Sequence, residues 1–268
     1  MARVLSTVVV LALLAATAVA FAITEGAKLD KSPIAATFVD PVFSPNGTLR
    51  PVARVQFRLR TRERLTVWIQ DKHGDRVTTL LPDRTLRRGS QVRLAWNGLS
   101  PAGILQPDGV YMPVVKLERS HRTIVLPSPI RLDTTPPVIS VKHPQYPLLS
   151  PDGDGHRDSF RIHYRINEPA NAILAVRGRR VLFKKGQRTS GELVWNGKVK
   201  NSQGQFVRPR PGRYLLTISA QDTAGNVSKG LPFAIAQVHY LTIAQQRVIM
   251  PPNGRFALRV STDAPRVS

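Results

Sequence analysis

The chain has 268 residues, 42% of them hydrophobic, which is enough to build buried cores and argues against wholesale disorder. It contains no cysteine, so disulfide staples, thiolate zinc sites and a cysteine nucleophile are excluded. The 39 Lys and Arg face 17 Asp and Glu, a formal charge of +22 scattered along the chain; biased composition and attraction to a polyanion account for it equally well. Aromatic residues make up 6% and prolines number 22, which favours strands and turns over long helices.

The N-terminus is written for export. Arg3 precedes an uncharged run from Val4 to Thr24 with the apolar core Val8-Val9-Val10-Leu11-Ala12-Leu13-Leu14. About 20 apolar residues span a bilayer as a helix, whereas Ala18-Val19-Ala20 and Ala20-Phe21-Ala22 both fit the small-x-small pattern of signal cleavage. Residues 1–31 are therefore expected to be a signal anchor, with a cleaved signal peptide as the alternative. The first places the protein in the cell membrane facing outside, with the membrane as a partner through this helix. The second makes it secreted.

A short tether, Ser32 to Asp40, leads to a first unit that opens at Phe43-Ser44-Pro45-Asn46-Gly47. Val55, Phe57 and Leu59 alternate with Arg54, Gln56, Arg58 and Arg60, the period of a half-buried strand. Leu65 to Ile69 is a second strand, and a polar segment from Asp83 to Gly89 leads to Leu94-Ala95-Trp96-Asn97-Gly98. Gly109-Val110-Tyr111 opens the last hairpin.

The second unit repeats these marks in order. It opens with Leu149-Ser150-Pro151-Asp152-Gly153-Asp154-Gly155-His156-Arg157-Asp158. Ile162, Tyr164 and Ile166 then answer Val55, Phe57 and Leu59 at a shift of 107 (162 − 55). Trp195-Asn196-Gly197 and Gly212-Arg213-Tyr214 follow. Recurrence in one order over about a hundred residues indicates a duplicated domain. Asp133-Thr134-Thr135-Pro136-Pro137 lies between the units, where the double proline suits a stiff linker. The expected domains are 38–133 and 134–235. Residues 236–268 hold two or three further strands, too few to close a sheet, and are expected to be a partial third β unit or tail.

Ser-Pro-Asp-Gly-Asp-Gly, a strand ending in Tyr164-Arg165-Ile166, then Trp195-Asn196-Gly197 and Pro211-Gly212-Arg213-Tyr214, resemble the immunoglobulin-like domain of flagellar hook-capping proteins. Asp133-Thr134-Thr135-Pro136-Pro137 and Asp222-Thr223-Ala224-Gly225-Asn226 are similar to the joints of tandem bacterial immunoglobulin-like domains. The resemblance covers roughly residues 38–235 and is weaker in the first unit, where Asn46-Gly47-Thr48 lacks the acids. It implies an all-β chain of two tandem immunoglobulin-like β-sandwiches after the hydrophobic helix, with an accessory or assembly role. It brings no catalytic residues.

Two constellations invite a ligand. Asp152, Asp154 and Asp158 alternate in a glycine-rich loop, a spacing that can converge on calcium. The loop departs from an EF-hand, with Gly155 in the fourth position, His156 in the fifth and no glutamate at the twelfth. Asx-turn chemistry, with the acids paired to Arg157 and Arg161, is the competing reading. Calcium is the one candidate cofactor.

Arg54 and Arg58 in the first unit correspond to Arg161 and Arg165 in the second, Arg60 extends the first row, and each row lies on an outward sheet face. Such rows suit an anionic polymer or glycan, with a solvated charged face as the plain alternative. Nucleic acid is disfavoured, because exposed aromatics do not interleave with the cations. No HExxH, G-x-S-x-G or P-loop pattern is present, so the chain is expected not to be an enzyme. The expected function is a non-catalytic binding, spacing or assembly module of the cell envelope. An Arg-face binder and the accessory region of a surface enzyme are the alternatives.

Overall fold

The computed structural model of the chain describes residues 12–21, 32–142, 146–243 and 260–263. A helix, α1, covers residues 12–21. Among the described residues no helix is long and apolar enough to cross a membrane. The rest of the signal segment expected over residues 1–31 lies outside the described residues.

Beyond α1 the regular structure among the described residues is all β, as the alternating runs require. The strands of the first hundred residues are β1 (Ile34–Val39), β2 (Val42–Phe43), β3 (Ala53–Leu59), β4 (Glu63–Gln70), β5 (Arg76–Leu86), β6 (Gln91–Trp96), β7 (Gly109–Leu117), β8 (Arg122–Val125) and β9 (Ile130–Leu132). Next come β10 (Ile139–Val141), β11 (Leu148–Leu149), β12 (Phe160–Val176), β13 (Arg179–Trp195), β14 (Val199–Lys200) and β15 (Phe206–Val207). The last are β16 (Gly212–Gln221), β17 (Leu231–Val238), β18 (Leu241–Ile243) and β19 (Val260–Thr262).

The chain divides into two compact units. The first takes the described residues up to Asp40 together with Arg54–Gly103 and Tyr111–Pro129. There β3 lies between β1 and β6, and Val55, Phe57 and Leu59 are buried while Arg54 and Arg58 point to solvent. β4 lies between β5 and β7, antiparallel to both, and β8 extends the ladder beyond β7. One element differs from the sequence reading: β5 runs on through Pro82 and Asp83 to Leu86 instead of breaking into a polar segment. Register shifts opposite Leu65, Val67 and Trp68 absorb the extra residues. Proline, which has no N–H to give, is tolerated on such a bulged outer strand.

The second unit takes Pro41–Ala53, Ile104–Val110 and Ile130 onward. The strand that starts at Ile162, Tyr164 and Ile166 runs on as one continuous β12 to Val176, with register shifts between Arg165 and Ala172. Its first half pairs with β10 and with the end of β13; its second half pairs with β16 and with the start of β13. β17 joins β16 antiparallel and β11 joins β17 parallel. Ile162, Tyr164, Leu174, Leu193, Trp195, Leu216, Ile218 and Ala236 form the centre of one buried cluster. Burying each of the larger apolar side chains contributes about 1.5–3 kcal/mol.

The same strand pairing occurs twice along the chain. β1-β3-β6 matches β10, the first half of β12 and the second half of β13. β5-β4-β7 matches the first half of β13, the second half of β12 and β16. The parallel pair β2 and β9, with Phe43 opposite Leu132, matches β11 and β17, with Leu149 opposite Val238. Phe43 and Leu149 are buried, and each stands immediately before the Ser-Pro that opens its unit's loop.

Candidate functional site

The two Trp-Asn-Gly turns are built alike. Trp96 and Trp195 are each 1% exposed. The Trp96 Nε1–H donates to the Leu99 carbonyl at 3.1 Å, and the Trp195 Nε1–H to the Lys198 carbonyl at 2.8 Å. Asn97 and Asn196 accept from the backbone N–H of those same two residues, at 3.1 and 3.3 Å. Gly98 and Gly197 follow at φ 81° and 75°, the region glycine enters without strain. With its faces buried, neither indole offers a platform for stacking a sugar. Tyr214 is committed in a similar way, since its hydroxyl donates to the Arg210 carbonyl at 2.8 Å.

The acid loop folds around its own N–H groups. Asp158 accepts from Gly153 N–H through one oxygen and from Gly155 N–H through the other, both at 2.8 Å. Asp152 accepts from the Ser150 hydroxyl at 2.9 Å and from Asp154 N–H at 3.2 Å, and Asp154 accepts from His156 N–H at 2.7 Å. One oxygen from each acid lies within 4.8 Å of the others. Burial alone would raise the Asp152 carboxyl, but the Ser150 and Asp154 donors, with Arg208 nearby, hold it below its ordinary value. The Arg161 expected to pair with these acids instead donates to Glu192 at 2.8 Å. Calcium takes six to eight oxygens, and most of the oxygens here already accept hydrogen bonds that shape the turn. The loop is thus shaped by Asx hydrogen bonds, with one oxygen of each acid still close enough to the others to share an ion.

A second acidic group, not expected as a cluster from the sequence, lies within the second unit. Asp133, Glu168 and Asp222 bring one oxygen each within 4.8 Å. Asp222, 1% exposed, caps a turn: it accepts from Gly225 N–H at 2.7 Å, Asn226 N–H at 2.9 Å and Asn226 Nδ2 at 2.8 Å. The same Asn226 amide donates to the Asp133 carbonyl at 2.8 Å. Burial pushes the Asp133 carboxyl up against the pull of Arg131, 3.1 Å away, and Asp222 adds to the rise. Glu168 is pushed up by burial and then by Asp133 and Asp222.

The linker beside this group is held as well. Asp108 accepts from Thr134 N–H at 2.8 Å and from the Thr134 and Thr135 hydroxyls at 2.7 and 2.6 Å. These hydroxyls outweigh burial and depress the Asp108 carboxyl. Asp133-Thr134-Thr135 and Asp222 to Asn226 were legible as joints, but Glu168 and Asp108 carried no signal beyond being isolated acids.

The arginine rows are less uniform than their spacing suggests. Arg54 forks onto the buried Asp40 at 2.8 and 3.1 Å and lies over the Phe38 ring. Arg161 is held by Glu192. Arg58, Arg60 and Arg165 are exposed. In the second unit Arg165, Lys142, His163 and Glu192 line a concavity of about 560 Å³ floored by Tyr164 and Gly191.

No protein-family model matches the chain, the hook-capping family included, and no curated protein matches it. Among solved structures it is similar to the fibronectin(III)-like modules of CbhA from Clostridium thermocellum, with 10% identity, 76% of this chain and 94% of that one covered, and a TM-score of 0.39. It is also similar to a tandem pair of titin immunoglobulin domains (12% identity, 77% and 100% covered, TM-score 0.23). A third is SGBP-B of the Bacteroides ovatus mixed-linkage glucan utilization locus, in complex with a heptasaccharide (11% identity, 84% and 51% covered, TM-score 0.25). Likenesses this loose add nothing to the strand pairing, which carries the fold.

Proposed function

We propose that the chain is a non-catalytic module of a bacterial cell envelope, two immunoglobulin-like sandwiches that space, bind or assemble other envelope components outside the membrane. One observation carries this reading. The residues that stand out in the sequence hold the same pairing together twice: the tryptophans and Tyr214 bond to nearby carbonyls, and the loop acids close their own turn. The leader-like run from Val4 to Thr24 supports export, and the hook-capping resemblance supports an assembly role.

A second reading, binding of an anionic polymer or glycan, rests on the concavity beside Arg165, Lys142 and His163. Cationic clefts gather such ligands most strongly at low salt.

Protease shaving of intact cells carrying the chain with a C-terminal reporter tests the placement. Removal of the reporter supports the proposal, whereas its full protection until cells are lysed would sink it. Titration of the purified chain with teichoic acid at low and high salt then separates spacer from binder, with salt-sensitive binding expected only for the binder.

A further inference from the structure

Tyr164 is 3% exposed, yet its hydroxyl makes no hydrogen bond among the described residues. The hydroxyls of Tyr214 and Tyr240 both donate to carbonyls, at 2.8 and 2.7 Å. A buried polar group without a partner is uncommon in a folded chain and calls for a reason. Burial pushes the Tyr164 phenol up against the opposing charge of Arg188, so the hydroxyl keeps its proton and can donate it to a ligand.

Gly191 makes the room for this hydroxyl. It stands opposite Tyr164 in the β12–β13 ladder, and a Cβ on it would lie 2.6 Å from the Tyr164 oxygen. Both residues floor the concavity of about 560 Å³ beside Lys142 and Arg165, a volume ordinary for a small-ligand site. Ser140 and Ser190 flank Arg165 across its two ladders and line the same concavity. Among the described residues neither Lys142 nor Arg165 is paired with an acid. Glu192 on the rim is already engaged, by Arg161 at 2.8 Å and by His163 at 3.6 Å.

The first repeat fills the same place with apolar side chains. At the shift of 107 Tyr164 answers Phe57, and at the shift of 99 that relates Trp195 to Trp96, Gly191 answers Val92 (191 − 92). Phe57 and Val92 are 1% and 4% exposed. Opposite Arg58 lies Ala35, where Arg165 has Ser140. A hydroxyl beneath a gap, ringed by unpaired cations, therefore belongs to the second repeat alone.

We infer that Tyr164, Arg165 and Lys142 form a subsite for one phosphate group of an anionic polymer, with the Tyr164 hydroxyl donating to a phosphate oxygen past Gly191. This rests on the reading of the chain as a binder of anionic polymers. A tetrahedral phosphate presents oxygens in several directions, which suits donors on the floor and on the rim, whereas a carboxylate offers two oxygens in one plane.

Titration of the purified chain at low salt with teichoic acid, inorganic phosphate and polygalacturonate tests the subsite. Tyr164→Phe, the residue type of the first repeat, is expected to weaken teichoic acid on the order of tenfold, as loss of a hydrogen bond to a charged group does. It should melt no lower than the parent, because no protein partner is orphaned. Arg165→Ala should weaken binding as well. Unchanged binding by Tyr164→Phe, or a lower melting point, overturns the subsite. Polygalacturonate bound as tightly as teichoic acid overturns the choice of phosphate, and inorganic phosphate bound as tightly overturns the polymer as its source. Binding that Arg58→Ala weakens while Tyr164→Phe and Arg165→Ala do not would keep the polymer reading and overturn this site. A parent chain that binds no teichoic acid would sink both.

Discussion

Gly225 faces the backbone nitrogen of Leu49 so closely that a Cβ on it would lie 2.6 Å from that atom. The residue sits at φ +96°, and its carbonyl accepts from Thr48 N–H at 2.9 Å. Gly225→Ala is expected to cost about 1–3 kcal/mol from backbone strain alone, with the clash adding to it. Gly74→Ala is the control, since Gly74 has a similar φ of +90° with nothing within 4 Å. It should lose only the same backbone strain, about 1–3 kcal/mol, without the added clash. Equal losses in denaturant titrations of the two variants would refute the packing argument.

Trp195→Phe keeps most of the buried ring but leaves the Lys198 carbonyl without its indole donor. The expected loss is about 1–3 kcal/mol, against about 3–5 for Trp195→Ala. A Phe variant as stable as the parent in urea would show that the bond is idle.

Glu168 supplies a pH signature. Burial and the neighbouring acids favour its protonated form, so its folded pKa is raised. Its contribution is therefore fully present below the ordinary glutamate pKa and is lost as pH rises through the raised value. Glu168→Gln should melt higher than the parent near neutral pH, and the gain should vanish by about pH 3. Asp108 has the opposite sign. Its depressed carboxyl contributes above the ordinary aspartate pKa, so Asp108→Ala should melt lower at neutral pH and converge with the parent on acidification. Melting differences that ignore pH would contradict both assignments.

Arg54 and Arg58 look equivalent in the sequence and should behave differently. Arg54→Ala takes the guanidinium fork from the buried Asp40 carboxylate but keeps the backbone N–H that donates to it at 3.0 Å, so a lower denaturation midpoint is expected. Arg58→Ala should stay within about 0.5 kcal/mol, as surface changes do. Chemical denaturation of the pair is a direct check.

Asp158→Ala removes the acceptor for two loop N–H groups at once. With a chelator present throughout, it should still lower stability by about 0.5–1.5 kcal/mol for each bond lost. A variant that differs from the parent only when calcium is added would instead make the loop a metal site.

Alternation made the first strand of each unit readable, because a period of two assigns Val55, Phe57 and Leu59, or Ile162, Tyr164 and Ile166, to one face without reference to the rest of the fold. The bulges were not readable. Nothing local says that β12 continues through Pro169 or β5 through Pro82, since a partner strand with a shifted register is what permits it. The joint acids were half readable. Asp133 and Asp222 stand in turn motifs, but Glu168 lies in the stretch of β12 where the register shifts, which no local pattern marks. The arginines show the limit from another side: spacing gave their sheet face, while Asp40 and Glu192, distant in sequence, decide which of them are engaged.

The parallel pairing of β11 with β17 has a mechanical meaning. β11 lies near the start of the second repeat and β17 at its end. Tension drawn through the two ends pulls these strands past each other along their length, once short β10 has yielded. Their cross-strand bonds are then loaded together in shear, and they do not open one at a time as they would in a peeled hairpin. β2 and β9 give the first repeat the same arrangement. A chain tethered at one end and holding a load at the other would place its main resistance in these parallel patches.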